Sequence, residues 1–300
     1  MRAARRRIGS AAAGGVEVGA IGLGAMPLSI EGHPDEARAV ATIHAALDAG
    51  TTLIDTADSY HPPGERPGAG ELLIARALAA YGGDTGDVLV ATKGGRGRTA
   101  DGDWSVHGDP RHLKRAAEAS ARRLGVETIG LYQLHKPDPA VPYAESLGAI
   151  GELLNAGTIR LAGISNVDAA QIRQAREILG DRLVSVQNRY SPAVRDSEAE
   201  LRLCEELGLA FMPWSPLGGI SRSSLDGASA QGVDPEFAGF HRVAREREVS
   251  PQQVALAWLL ARSPAVIPIP GASRPRSARD SAAAAGLVLT EEEVRLLAAA

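Results

Sequence analysis

The sequence predicts an α/β chain folded as a (β/α)8 barrel of the TIM type, with a β-hairpin before the barrel and an extra helix after it. Three observations carry this prediction. Eight short apolar runs alternate with eight amphipathic stretches along the chain. The runs are apolar at successive positions, as strands covered on both faces are. The 300 residues hold a barrel of roughly 250 residues with short additions.

The candidate strands are residues 20–24, 52–57, 88–93, 131–135, 160–165, 184–188, 210–214 and 265–270. The helical stretches are 35–50, 70–82, 110–125, 143–157, 168–180, 197–208, 251–263 and 275–286. Asp168 and Ser197 stand where side chains cap helix starts, and Gly50, Gly125, Gly157, Gly180 and Gly208 stand where helices stop. Alternation of this kind implies parallel strands joined by right-handed crossovers. An open doubly wound sheet is the alternative. It lacks its fingerprint, because IGLGAM (21–26) is not a GxGxxG turn leading directly into a helix.

Three pieces lie outside the repeat. RRRIG (5–9) pairs with VEVGA (16–20) as a hairpin across the barrel bottom. Residues 217–250 form a long insertion rich in Gly, Ser and Asp after the seventh strand. Thr290 and Glu293 have capping-box spacing for a terminal helix over 290–299. No linker divides the chain, so residues 1–300 read as one barrel domain with a basic start over 1–15.

Charged residues make up 23% and apolar residues 44%, as in a soluble globular protein. A net charge of −4 gives no electrostatic ground for a nucleic-acid or anionic-membrane partner. No run approaches the ~18 apolar residues of a spanning helix. The single cysteine, Cys204, rules out an internal disulfide and suggests a reducing compartment. RRRIG before AAAGG brings a twin-arginine export signal to mind, but the stretch that follows is glycine-rich and broken. A cytoplasmic location is expected.

Asp55, Lys93 and His135 fall at the ends of apolar runs, and Tyr60 follows in the same segment as Asp55. The C-terminal strand ends of a parallel barrel share one face. Asp55, Lys93, His135, Ser165, Asn166, Gln187, Asn188, Trp214, Ser215 and Ser273 therefore converge. Buried strand ends do not tolerate so many polar groups without partners or a ligand. A tyrosine hydroxyl, with a pKa of about 10, is a poor acid at neutral pH. A lysine beside it lowers that value, and Asp55 can hold Lys93 charged. His135 can donate to or orient a carbonyl oxygen. The set suits general acid catalysis at a developing alkoxide, and the hydride must come from a cofactor.

Each residue also has a plainer reading. Asp55 and Lys93 form buried structural ion pairs in many proteins. Tyr60 alone reads as a surface tyrosine, His135 as a strand cap, Arg274 as a solvated charge and Trp214 as core. Trp104, in the polar loop 95–104, either walls a substrate pocket or packs within its loop. His33 and His61 receive no role. A metal-dependent hydrolase would need three or more ligands around an open position, and no second histidine stands at a strand end.

The segments GLGAM, IDTADSY, ATKGG, YQLHKPDP, AGISNV, VQNRYSP, MPWSPLGG and IPIPGAS, in this order over residues 16–297, resemble the aldo-keto reductases. The resemblance implies a tetrad of Asp55, Tyr60, Lys93 and His135. Tyr60 would be the general acid, Lys93 with Asp55 would lower its pKa, and His135 would orient the carbonyl. It implies NADPH as cofactor and an aldehyde or ketone as the small-molecule substrate. Gly24 falls among the cofactor contacts. Ser165, Asn166 and Gln187 match residues that bind the nicotinamide carboxamide, and Trp214 matches the ring on which the nicotinamide stacks. Ser215, Leu217 and Gly219 match the loop over the pyrophosphate. Ser273 and Arg274 match the site of the adenosine 2′-phosphate, which favours NADPH over NADH. Ser277 and Ser281 depart from the family pattern, which often has Arg or His and Asn there; Arg276 and Arg279 flank the gap. The long C-terminal loop that closes the pocket in some members is missing, so an open site is expected. The alternative within this resemblance is an NADPH-binding sensor subunit, like the potassium-channel beta subunits.

Overall fold

The computed structural model describes residues 4–99, 101–218, 220 and 235–298. It opens with an antiparallel hairpin of β1 (Arg5–Ile8) and β2 (Val16–Gly19). The barrel strands are β3 (Leu23–Gly24), β4 (Leu53–Asp55), β5 (Leu89–Gly94), β8 (Ile129–Leu134), β9 (Ile159–Ser165), β10 (Leu183–Gln187) and β11 (Ala210–Phe211). Between β5 and β8 lies a second small hairpin of β6 (Arg96–Arg98) and β7 (Trp104–Val106). The seven barrel strands form one parallel sheet in the order β11-β10-β9-β8-β5-β4-β3.

The eighth stave is residues 265–270, and it closes the barrel. On one side Phe211 and Val266 form a parallel bridge, and the amide of Ile267 donates to the Phe211 carbonyl at 2.8 Å. On the other side the amides of Gly22 and Gly24 donate to the carbonyls of Pro268 and Pro270, both at 2.9 Å. Neither proline has an N–H to give back, so this stretch hydrogen-bonds to β3 in one direction at those residues. Here Gly24 is required, because a Cβ would meet the Ile269 carbonyl oxygen at 2.6 Å.

Strand side chains alternate between two apolar layers. Leu53, Leu89, Ala91, Leu131, Leu161, Val184, Ala210, Met212, Ile267 and Ile269 fill the interior, together with Ile8 and Val18 from the first hairpin. That hairpin therefore plugs the barrel floor, as its alternating pattern predicts. Intervening residues such as Ile54, Tyr132, Ile164, Val186, Phe211 and Val266 pack outward.

Against them lie the helices α1 (Glu36–Asp48), α2 (Ala69–Ala79), α3 (Pro110–Leu124), α4 (Tyr143–Asn155), α5 (Ala169–Leu179) and α6 (Glu198–Leu207). The C-terminal part adds α7 (Ala238–Glu246), α8 (Pro251–Arg262), α9 (Pro275–Ala283) and α10 (Glu291–Ala298). Asp168 starts α5 with a full capping box to Gln171. Thr290 and Glu293 exchange amide-to-side-chain bonds at 2.7 and 3.2 Å ahead of α10.

The structure departs from the sequence reading in three places. Ser197 precedes α6 without a side-chain cap; its Oγ instead lies 3.4 Å from Asn188 Nδ2. The stretch taken as the polar loop 95–104 contains the β6 strand and the start of β7. The 217–250 insertion contains α7, whose Phe240, Val243 and Ala244 are buried. No described helix is long and apolar enough to cross a membrane.

Candidate active site

The cluster forms because β4 and β5 are neighbours in register, with Asp55 opposite Ala91. Lys93, two residues farther on, is fully buried. Its three N–H groups are all committed: to Asp55 Oδ2 at 2.7 Å, to the Thr56 carbonyl at 2.8 Å and to the Tyr60 hydroxyl at 3.1 Å. The second Asp55 oxygen accepts from Gln187 Nε2 at 2.8 Å and from Gln133 Nε2 at 3.1 Å. Asp55 thus has donors on both oxygens in a buried site, which is the condition for holding a charge there. Lys93 is held above the usual lysine range. Burial opposes its charge, but Asp55 and Tyr60 outweigh burial.

The Tyr60 hydroxyl oxygen accepts from Lys93, so its own proton points elsewhere. Lys93 does lower the Tyr60 pKa, as the sequence suggests, but burial outweighs the lysine. Burial raises it first; Lys93 pulls it down, Asp55 pushes it back up, and the hydroxyl stands above the ordinary tyrosine value. Tyr60 is therefore protonated at neutral pH. The His135 ring meets the Tyr60 ring edge-on, with centroids 5.7 Å apart. Its Nδ1 faces Ser59 Oγ at 3.4 Å. Burial, then the charges of Lys93 and Arg96, hold His135 well below the usual histidine value, so the ring is neutral.

These groups open into a pocket of about 220 Å³ lined by Gly24, Met26, Tyr60, Arg96, Trp104, His135, Ser165, Asn166, Gln187, Trp214 and Ser215, among others. Ser165 Oγ donates to the Gln187 carbonyl at 2.7 Å. Asn166 adopts a left-handed backbone (φ +58°). Its Nδ2 donates to the His135 carbonyl at 2.9 Å, and its Oδ1 accepts from Trp214 Nε1 at 3.2 Å. Asn188 turns away, its amide bonded at both ends to the Val167 backbone. Ser215 is also left-handed (φ +49°). Backbone strain of this kind gathers at ligand sites.

A second cavity of about 430 Å³ continues from the first, sharing Pro27, Ser215 and Gly271. It is lined by Leu217, Gly218, Ser273, Arg274, Arg276, Ser277, Ser281 and Asp280, with Arg189 at one wall. Ser250 Oγ and Gln253 Nε2 hold Asp280 at 2.6 and 2.7 Å. The structure brings together the sequence-predicted residues except Asn188, which turns away, and Gly219, which lies outside the described residues. It adds Gln133, Arg96, Arg189 and Asp280, which periodicity cannot mark; only Arg189, directly after Asn188 in VQNRYSP, had a positional signal.

Behind the pocket a buried acid sits without full compensation. Asp58 donates its amide N–H to the Lys93 carbonyl at 3.1 Å, while its Oδ1 has no hydrogen-bond partner. Nearby Glu71 accepts from Thr92 Oγ1 and Arg123 Nε, both at 2.5 Å. Burial and then the Glu71 charge push the Asp58 carboxyl up to about 8, against weaker pulls from Arg123 and Lys93. A folded-state pKa above the unfolded value makes a contribution that is complete below about pH 4. That contribution is lost as pH rises to about 8. Asp58→Asn is therefore expected to be more stable than the parent protein at pH 8, by a few kcal/mol, and nearly equal to it at pH 4. Urea unfolding at the two pH values measures this. A stability difference that ignores pH would mean that Asp58 is charged in the folded state.

A barrel with a buried, hydrogen-bonded Asp–Lys–Tyr–His cluster at its C-terminal strand ends has the form of an enzyme site. Among the described residues no group of three His, Cys, Asp or Glu side chains could hold a metal ion. A model of the Aldo/keto reductase family matches residues 20–300, and the chain belongs to that family of oxidoreductases. It is 35% identical over 288 residues to an uncharacterized oxidoreductase of Schizosaccharomyces pombe, covering 95% of this chain and 87% of that protein. Among solved structures, the glycerol dehydrogenase of Gluconobacter oxydans superposes with a TM-score of 0.82 at 28% identity, over 99% of this chain and 95% of the other. An aldo/keto reductase of Klebsiella pneumoniae, in complex with NADP and acetate, has a TM-score of 0.74 at 29% identity, over 94% and 90%.

Proposed function

We propose that this protein uses NADPH to reduce an aldehyde or ketone to an alcohol, with Tyr60 as the general acid. The carrying observation is the Lys93 ammonium: held by Asp55 and the Thr56 carbonyl, it donates its third N–H to the Tyr60 oxygen and leaves the hydroxyl proton for the pocket. The chain reads as one barrel domain, and the solved Klebsiella relatives in complex with NADP and with NADPH support the cofactor.

The residues present fit that cofactor. The two cavities share Pro27, Ser215 and Gly271, and Arg189, Arg274 and Arg276 line the larger one. Phosphate groups demand such cations. Gly24, Trp214, Ser165, Asn166 and Gln187 would hold the nicotinamide end; Ser215, Leu217 and Gly219 would hold the pyrophosphate; Ser273 and Arg274 would hold the 2′-phosphate. Gln187 Nε2 and Asn166 Nδ2 are already committed to protein acceptors, so Gln187 offers a ligand its Oε1. When bound, NADPH supplies the hydride.

The chain's own groups do the rest. A neutral His135 that accepts from Ser59 at Nδ1 carries its proton on Nε2, from which it can donate to the substrate oxygen. Tyr60 then gives that oxygen its proton. Lys93 stabilises the tyrosinate left behind, and Asp55 keeps Lys93 charged.

Titration of the protein with NADPH by cofactor fluorescence, followed by addition of small aldehydes, tests the reading. Micromolar binding and aldehyde-dependent NADPH oxidation are expected. Tight binding with no turnover of any aldehyde would favour a sensor role, and absence of binding would overturn the cofactor.

A further inference from the structure

We propose that Arg96 is an anion-recognition residue and that the preferred substrate is a short carbonyl compound carrying a carboxylate. This proposal rests on the reductase reading above and names its substrate class.

Arg96 enters the pocket from the β6–β7 hairpin, directly after the strand that carries Lys93. It lines the same cavity as Tyr60 and His135. Its guanidinium lies over the Trp104 ring, 4.4 Å from the centroid. Arg98 sits 4.3 Å from the same ring, but the two arginines differ in what balances them. Arg98 pairs with Glu31. Arg96 has neither a hydrogen bond nor an acidic partner among the described residues, and its Nε is buried and unsatisfied.

A half-buried guanidinium with no counter-ion is costly, and an anionic ligand relieves that cost. Because its charge acts on both Tyr60 and His135, a bound anion would lie close to the reacting carbonyl. The pocket volume of about 220 Å³ suits a compact molecule. With Arg98 neutralised by Glu31, the pocket offers one uncompensated positive charge on this wall. One charge matches a carboxylate monoanion better than a phosphate dianion. The planar fork of the guanidinium matches the two carboxylate oxygens. Trp104, at the start of β7, holds the guanidinium against the pocket wall through a cation–π contact.

The test compares 4-oxobutanoate with butanal, which differ by the carboxylate. The intact protein is expected to favour 4-oxobutanoate at least tenfold in kcat/KM, mainly through KM. Arg96→Gln should cut this discrimination at least tenfold, and Arg96→Lys should restore part of it. A second readout needs neither cofactor nor turnover. Trp104 lies against Arg96, so titration with 4-hydroxybutanoate should give a saturable change in tryptophan fluorescence, and Arg96→Gln should weaken that binding at least tenfold. Equal use of the two aldehydes, with no fluorescence response, would overturn the proposal while leaving the reductase standing. A fluorescence response without NADPH oxidation would support the anion site and count against the reductase reading. Preference for glyceraldehyde 3-phosphate over 4-oxobutanoate would overturn the carboxylate assignment.

Discussion

Tyr60→Phe should bind NADPH with nearly unchanged affinity and lose turnover by ~10²–10⁴-fold, the range typical of general acid catalysis. The substitution removes one oxygen and keeps the ring, so the edge-on contact with His135 survives. It also strips Lys93 of one of its three acceptors. Because Asp55 and the Thr56 carbonyl remain, the lysine stays charged and the fold should tolerate the change. The loss should fall on kcat rather than on KM, because the proton is needed only as charge develops on the substrate oxygen. Single-turnover oxidation of bound NADPH measures the chemical step directly. A variant as fast as the parent protein would remove Tyr60 from the acid role.

Lys93→Met should lower stability by about 3–5 kcal/mol as well as abolish turnover. It leaves the Asp55 carboxylate buried, with only the amides of Gln133 and Gln187 to balance it. The double variant Asp55→Asn/Lys93→Met places two neutral side chains in the same space. It should recover at least half of the lost stability while remaining inactive, since nothing then stabilises the tyrosinate. Urea unfolding of the four proteins in this cycle gives the coupling between the pair. Additive losses would show that Asp55 and Lys93 do not depend on each other in the folded state.

The barrel was legible because its apolar runs and glycine stops recur at a regular period. The cluster was legible because strand ends in a parallel barrel point one way, which put Asp55, Lys93 and His135 together before any coordinates. What escaped was set by three-dimensional surroundings. Burial outweighs Lys93 in setting the Tyr60 pKa, and burial is not written in IDTADSY. Asp58 lies in the same segment, yet only its packing near Glu71 makes it a high-pKa acid. Gln133 points inward from a strand whose pattern marks it merely as a polar break in an apolar run. The hairpin that carries Arg96 hid within a stretch rich in Gly, Arg and Asp that reads as loop. The helix α7 escaped because it lies in the 217–250 insertion, whose glycine- and serine-rich residues read as loop.

The one-way pairing of Pro268 and Pro270 with β3 makes this barrel a ring with a clasp. The clasp joins staves about 245 residues apart in sequence, a closure that loop entropy opposes. The smaller cavity lies at this seam, with both Gly24 and Gly271 in its wall. A dinucleotide bound across that seam would act as a rivet as well as a reagent.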